Sequence, residues 1–257
     1  MQTKNCCSNP EELASHNCNT NMMATILCME TGSTTCSVAL GSESGVIGFR
    51  EVSDANIHAS ALPVLIEELI RETGFELGNI DAIAVSMGPG SYTGLRIGVS
   101  LAKGMCYALH KPLIAVGSLE AMVTGVGEFI NMESINNNSL LSPMIDARRM
   151  EVYTQLFNRK GEMLSEVKAL VVETDTFSDL LKKNTVVFFG SGASKCQQVI
   201  GNSGAIFVEH FKPSARYLLP LAQKKFRDEL FEDIAYFEPY YLKDFVPTRP
   251  KNRIIPD

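Results

Sequence analysis

The chain has 257 residues, 45% of them hydrophobic, and 23 Lys and Arg against 29 Asp and Glu leave a formal net charge of −6. That length suits one large globular domain or two moderate ones. The acidic balance excludes a protein that holds RNA or DNA alone through a broad basic surface, so a partner would have to supply most of any such contact.

The seven cysteines, at 6, 7, 18, 28, 36, 106 and 196, are odd in number and contain no CxxC pair, which reads as reduced thiols in a cytoplasmic protein. No apolar run approaches the roughly 20 residues of a spanning helix, and no apolar core resembling a signal peptide opens the sequence. Met1 to Asn21 is polar, holds three of those cysteines and lacks periodicity, so residues 1–22 are expected to be a disordered extension or to precede the native start. His16 with Cys6, Cys7 and Cys18 lacks the paired short spacings of a zinc module.

Thr25 to Met29, Ser37 to Leu40 and Val46 to Val52 read as a three-stranded meander. Its first turn, Glu30-Thr31-Gly32-Ser33-Thr34-Thr35, is small and rich in hydroxyls; it is either a simple hairpin turn or a loop that takes phosphate oxygens through Glu30, Thr31 and Ser33. A helix follows, capped by Ser60, with Pro63 in its first turn and Leu62, Leu65, Ile66, Leu69 and Ile70 on its apolar face. Glu67 and Arg71 are spaced to pair on the wet face, and Gly74 ends the helix. His58 at its start reads as a polar cap or surface residue, since no second histidine lies within a turn of it.

The stretch Ile80 to Leu109 is a strand, a glycine turn and a helix. Ile80 to Val85 is a nearly continuous apolar run, as expected of a strand covered on both faces. Met87-Gly88-Pro89-Gly90-Ser91 supplies a tight turn, and Ser91 or Thr93 can cap the helix behind it. That helix is apolar nearly all round. Gly94, Gly98 and Ala102 recur every four residues and form a shallow stripe, flanked by Leu101 and Met105, where another element can approach closely. The surplus suggests a partner surface made of Leu65, Leu69, Gly94, Gly98, Leu101, Ala102 and Met105.

Leu113 to Val116 is then a strand and Ser118 opens a helix running towards Ile130, followed by an asparagine-rich loop from 131 to 142. A second meander runs from Pro143 through Val152 to Asn158 and Leu164 to Val172. Thr185 to Phe189 is a strand that leads through Gly190-Ser191-Gly192-Ala193 into a helix from Ser194 to Ile200, and Ala205 to Val208 is another strand. Ser214 caps a helix through Phe226, and the chain closes in a basic, proline-rich tail whose Arg249, Lys251 and Arg253 read as solvated. Each half therefore opens with a meander broken by a small polar turn and goes on to alternate strands with helices. The predicted class is α/β, with two lobes sharing a cleft: 23–115, which carries the partner surface, and 116–257, whose last segment is placed back on the first lobe.

The segments ILCMETGSTTCSVAL at 26–40, HASALP at 58–63, SMGPGSYTGLRIG at 86–98, GSLEAM at 117–122 and DARRMEVY at 146–153 resemble the TsaB (YeaZ) family of glycoprotease homologues, from Met23 to about Lys251. The resemblance implies an actin-like (ASKHA, ribonuclease H-like) two-lobed fold. It also implies a non-catalytic role in making threonylcarbamoyladenosine next to the anticodon of tRNAs that read codons beginning with A. In that family the related TsaD carries the metal and the transfer, TsaE is an ATPase that resets the complex, and TsaC supplies the threonylcarbamoyl-adenylate. The implied partners are TsaD and TsaE, with tRNA reached through the complex and self-pairing open for the isolated chain; no cofactor is implied. The family usually has Asp where this chain has Glu30 and a hydroxyl residue where it has Gly32, which makes independent nucleotide binding less secure.

The protease label attached to such sequences fails on ligands, because the chain has neither HxxxH nor HExxH and its His16, His58, His110 and His210 are scattered. Ser91 lies in GPGSYTG, which is not GxSxG, and no acid and histidine partners can be named for it. The stronger rival is an ATPase or kinase of the same fold, since 30–35 and 191–193 sit where that fold grips phosphates.

Overall fold

The structure is a computed structural model that describes residues 24–53, 58–201 and 203–243. The expectations for residues 1–22 and for the basic tail lie outside these. The first sheet is built from β1 (Ile26–Glu30), β2 (Cys36–Ser42), β3 (Gly45–Val52), β4 (Ala82–Gly88) and β5 (Leu113–Gly117) in the order β3-β2-β1-β4-β5. β1 to β3 are antiparallel, and β4 and β5 run parallel to β1. The second sheet takes β6 (Leu140–Asp146), β7 (Glu151–Thr154), β9 (Lys168–Val171), β10 (Val186–Phe189) and β11 (Ala205–Val208) in the order β11-β10-β6-β7-β9, with β8 (Phe157–Asn158) pairing β6. Here too the first three main strands are antiparallel and the last two parallel to the first. The same order and sense of strands therefore occur twice, which is the duplicated ribonuclease H-like sheet of an actin-like fold.

The helices fill the layers around these sheets. α1 (His58–Thr73) and α2 (Tyr92–Leu109) cover the outer face of the first sheet, while α4 (Ser178–Leu181) and α5 (Ala193–Cys196) cover that of the second. Alternation along the buried strands explains both layers: Leu27, Met29, Ile83 and Val85 point out to α1 and α2, whereas Ile26, Cys28, Ala82 and Ala84 point inward. That inner face shares one core with α3 (Ser118–Gly125), α6 (Leu219–Arg227) and Leu141, Ile145, Val187 and Phe189 of the second sheet. Cys28, Cys36, Cys106 and Cys196 are free and buried. Burial pushes their thiols upward, that of Cys36 to about 11 and that of Cys106 to about 12.

Several local expectations change. α1 already runs at His58, so Ser60 is its third residue instead of its cap, and Pro63 lies deeper than the first turn. The helix from Ser118 ends at Gly125 and does not reach Ile130, while α4 has no counterpart among the predicted helices. Ser214 makes no capping bond; its hydroxyl donates to Glu51 Oε2 at 3.2 Å.

After α6 the chain runs back across the first sheet and α2. Glu232 N donates to Leu113 O at 2.9 Å, Tyr240 N donates to Met87 O at 2.7 Å, and Lys103 Nζ donates to the carbonyls of Ala235 and Phe237. Among the described residues no helix is long and apolar enough to cross a membrane.

Candidate functional site

The turn that leaves β1 is packed directly on the start of α2. Ser91 caps α2 by accepting from Gly94 N at 3.2 Å, and its own N–H donates to Gly32 O at 2.7 Å. A Cβ at Gly90 would lie 2.3 Å from Gly32 O, one at Gly94 2.0 Å from Thr31 O, and one at Gly98 2.3 Å from Thr31 Oγ1. The glycine spacing of the 86–98 segment is thus explained inside the chain: only hydrogen at those positions lets Thr31 and Gly32 lie against the helix.

Three N–H groups of this turn are already committed. Thr31 N donates to Ser86 Oγ at 3.4 Å, Gly32 N to Glu30 Oε1 at 2.6 Å, and Thr35 N to Ser33 Oγ at 3.1 Å. A phosphate would have to displace these bonds and approach the buried Glu30 carboxyl, which burial raises to about 7 against the opposing Gly32 N–H and Ser86 hydroxyl. A Cβ on Gly32 would meet Glu30 Oε1 at 3.2 Å and Leu95 Cδ2 at 3.1 Å. The two departures from the family pattern therefore belong together: the longer Glu30 reaches back to cap its own turn, and residue 32 must be small to admit it. The turn after β10 is spent similarly, with Gly192 N on Met144 O at 2.9 Å and Ser191 Oγ accepting from Asp146 N at 3.1 Å.

Of the seven residues expected to form a partner surface, five are placed in the chain's own interior. Leu65 and Leu69 pack under α1; Gly94, Gly98 and Ala102 are buried along the face of α2 turned to the β1 turn and the sheet. The close approach that the small-residue stripe permits is therefore made by Thr31, not left open for another chain. Leu101 and Met105 keep part of their surface. They meet Pro63, Ile66, Ile70 and Leu77 in an apolar groove of about 460 Å³ between α1 and α2, edged by Glu67 and Arg71, which form no ion pair with each other. Val64 beside it is half exposed, so the apolar surface is continuous beyond the groove.

Sequence reasoning missed Pro63, Ile66 and Leu77 as groove residues. The signal was present as a second helical row on α1, at 63, 66 and 70, beside the pair 101 and 105 on α2. Among the described residues no three His, Cys, Asp or Glu side chains gather where a metal could be held. His58 is buried at the start of α1, while His110 ends α2 and His210 is exposed beside Glu209.

The family description TsaD: tRNA N6-adenosine threonylcarbamoyltransferase matches residues 51–248. The chain is 34% identical over 180 residues to the tRNA threonylcarbamoyladenosine biosynthesis protein TsaB of Bacillus subtilis (strain 168), covering 68% of this chain and 75% of that protein. It is 27% identical over 227 residues to TsaB of Escherichia coli (strain K12), covering 86% of this chain and 95% of that one. The structure called YeaZ from Pseudomonas aeruginosa superposes with a TM-score of 0.69 at 27% identity, over 86% of this chain and 100% of its own. Matched over most of its length by these relatives, by that structure and by the wider transferase description, the chain belongs to the TsaB (YeaZ) family.

Proposed function

We propose that the chain is a non-catalytic scaffold subunit of the assembly that places threonylcarbamoyl on tRNA adenosine, docking through the α1–α2 groove onto a TsaD-type transferase and helping to recruit a TsaE-type ATPase. The observation that carries this is the uncovered apolar groove on the two helices, in a chain whose curated relatives are named for threonylcarbamoyladenosine biosynthesis. Because the transferase description aligns with residues 51–248, a TsaD-type chain carries counterparts of α1 and α2. Two equivalent helix pairs can then meet about a pseudo-twofold axis, each filling the other's groove. The committed N–H groups of both small turns weigh against an independent ATPase or kinase.

The direct test is co-elution of this chain with a TsaD-type protein, repeated with Leu101→Glu. Each large apolar side chain removed from water contributes about 1.5–3 kcal/mol, so a buried carboxylate at that point should abolish a micromolar complex. Leu101 is only half buried in the free chain, so the variant should keep its circular dichroism spectrum. A folded Leu101→Glu chain that binds the transferase normally would place the joint elsewhere, and wild-type chain that only self-pairs would overturn the scaffold role.

A further inference from the structure

The residues joining β6 to β7, Asp146 to Met150, put two consecutive non-glycine residues in the left-handed region, Arg148 at φ 71° and Arg149 at φ 49°. Each such residue costs conformational free energy, and neither is an Asn, Asp or Gly that would relieve it. The turn is held there from several sides. Arg148 N donates to Asp146 Oδ1 at 2.8 Å, Ala147 N to Glu151 O at 3.0 Å, and Glu151 N to Arg148 O at 3.1 Å. Lys195 binds both the Asp146 carboxylate and Glu151 O. The backbone is over-determined, yet both arginine side chains are exposed, and among the described residues neither guanidinium has an ion pair or a hydrogen bond.

A chain of contacts extends this turn across to α2. Lys243 pairs with Glu151, and two residues earlier Tyr241 lies 4.9 Å, ring to ring, from Tyr92 at the start of α2. Arg96 rests over the Tyr92 ring and donates to its hydroxyl at 3.0 Å. In this strip Lys195 and Lys243 are balanced by Asp146 and Glu151, and Glu238 is close to Tyr241, which leaves the cationic excess on Arg96, Arg148 and Arg149. An excess of cations is notable on a chain of net charge −6.

Building on the role proposed above, we infer that the Arg148–Arg149 turn, with Arg96 and the Tyr92–Tyr241 pair, grips the phosphate backbone of the RNA substrate. Guanidinium groups match phosphate oxygens bidentately, and a rigid turn offers two of them without ordering a loop at the moment of binding. An acidic protein would also seek the arginines; what favours RNA is the pair of adjoining tyrosine rings beside them, a platform on which an unstacked base can lie. The acidic composition is consistent with this: at physiological salt the strip is too small to hold RNA unaided and adds to contacts a partner makes, whereas lowering the salt strengthens its own hold.

The test is tRNA binding by the co-eluting pair of this chain and a TsaD-type transferase, followed by fluorescence anisotropy across a potassium chloride series. The double variant Arg148→Gln, Arg149→Gln should weaken binding about tenfold at moderate salt, and should flatten the slope of log affinity against log salt by about 0.7–0.9 for each phosphate that the variant no longer neutralises. Arg148→Lys, Arg149→Lys should restore most of the slope, and Tyr241→Ala should weaken binding with the slope unchanged. Unaltered affinity and slope in the glutamine variant overturns the inference. So does a glutamine variant that no longer co-elutes with the transferase, since the turn would then be a protein contact. If the wild-type pair does not form, the scaffold role fails separately; the strip is then judged on the isolated chain at low salt, where wild type must retain tRNA and the glutamine variant must not.

Discussion

Replacing Glu30 by glutamine should change the pH dependence of stability in a direction that the burial of this carboxyl dictates. Glu30 is 2% exposed and its carboxyl is raised from 4.5 to about 7, chiefly by burial. The folded state therefore holds this proton more tightly than the unfolded chain, and the favourable contribution is complete below about pH 4.5. It declines as pH rises and is gone above about 7, because ionising the buried group costs free energy that the unfolded chain does not spend. At 1.36 kcal/mol per unit, that interval corresponds to roughly 3 kcal/mol. The glutamine side chain would keep an Oε1 for Gly32 N, and its amide can donate toward the Ser118 hydroxyl. That hydroxyl is buried without a hydrogen-bond partner and lies, like Glu30 Oε1, beside Gly32. The variant should match wild type near pH 4 and exceed it by up to about 3 kcal/mol at pH 8, measured by urea denaturation at both values. A stability difference between the two chains that stays constant from pH 4 to pH 8 would refute the argument.

Gly94→Ala should destabilise the chain by about 1–3 kcal/mol, seen as a lower thermal midpoint, because the new methyl group meets the Thr31 carbonyl on a backbone that has little room to move. Met105→Glu should leave the stability within about 1 kcal/mol of wild type while preventing co-elution with a TsaD-type transferase. Calorimetric titration of the isolated chain with ATP and magnesium should give no saturable heat, because Thr31, Gly32 and Thr35 have already spent their N–H groups; a stoichiometric isotherm would show that the turn opens.

Much of the fold was legible because its strands are short apolar runs bounded by glycine and polar turns. The continuous runs at β4 and β10 announced strands buried on both faces, and the Gly88-Pro89-Gly90-Ser91 turn fixed where α2 begins. The duplication of the meander was visible too, although only the strand pairing shows that both sheets share one order. Ser60 misled because any serine ahead of an apolar periodic run looks like a cap, and α4 escaped because four residues are too few to display a helical period. Several of the bonds that hold the segment from 228 to 243 are made to or from backbone carbonyls, and these leave no mark in a sequence.

The row of small residues on α2 that the sequence offered as a partner surface is buried, and the groove lies along another row of the same helix. α2 is apolar nearly all round because it has three neighbours to satisfy. Leu95, Val99 and Cys106 meet the core, Gly94 and Gly98 admit the β1 turn, and Leu101 and Met105 face the groove with α1. A stripe of small residues signals close approach without saying whose backbone approaches, and here Thr31 takes the place that an outside helix was expected to fill. This has a consequence for function. While Thr31 and Gly32 pack against the stripe, their N–H groups are committed to Ser86 and to the buried Glu30 carboxyl, so the turn that could have received phosphate is part of the packing between β1 and α2. Among the surfaces that the chain offers to other molecules outside that packing are an apolar groove on one side of α2 and exposed arginines beside the rings at its start. An apolar groove suits a protein partner and guanidinium groups suit phosphate, which is the physical basis for the proposal that this chain positions other molecules.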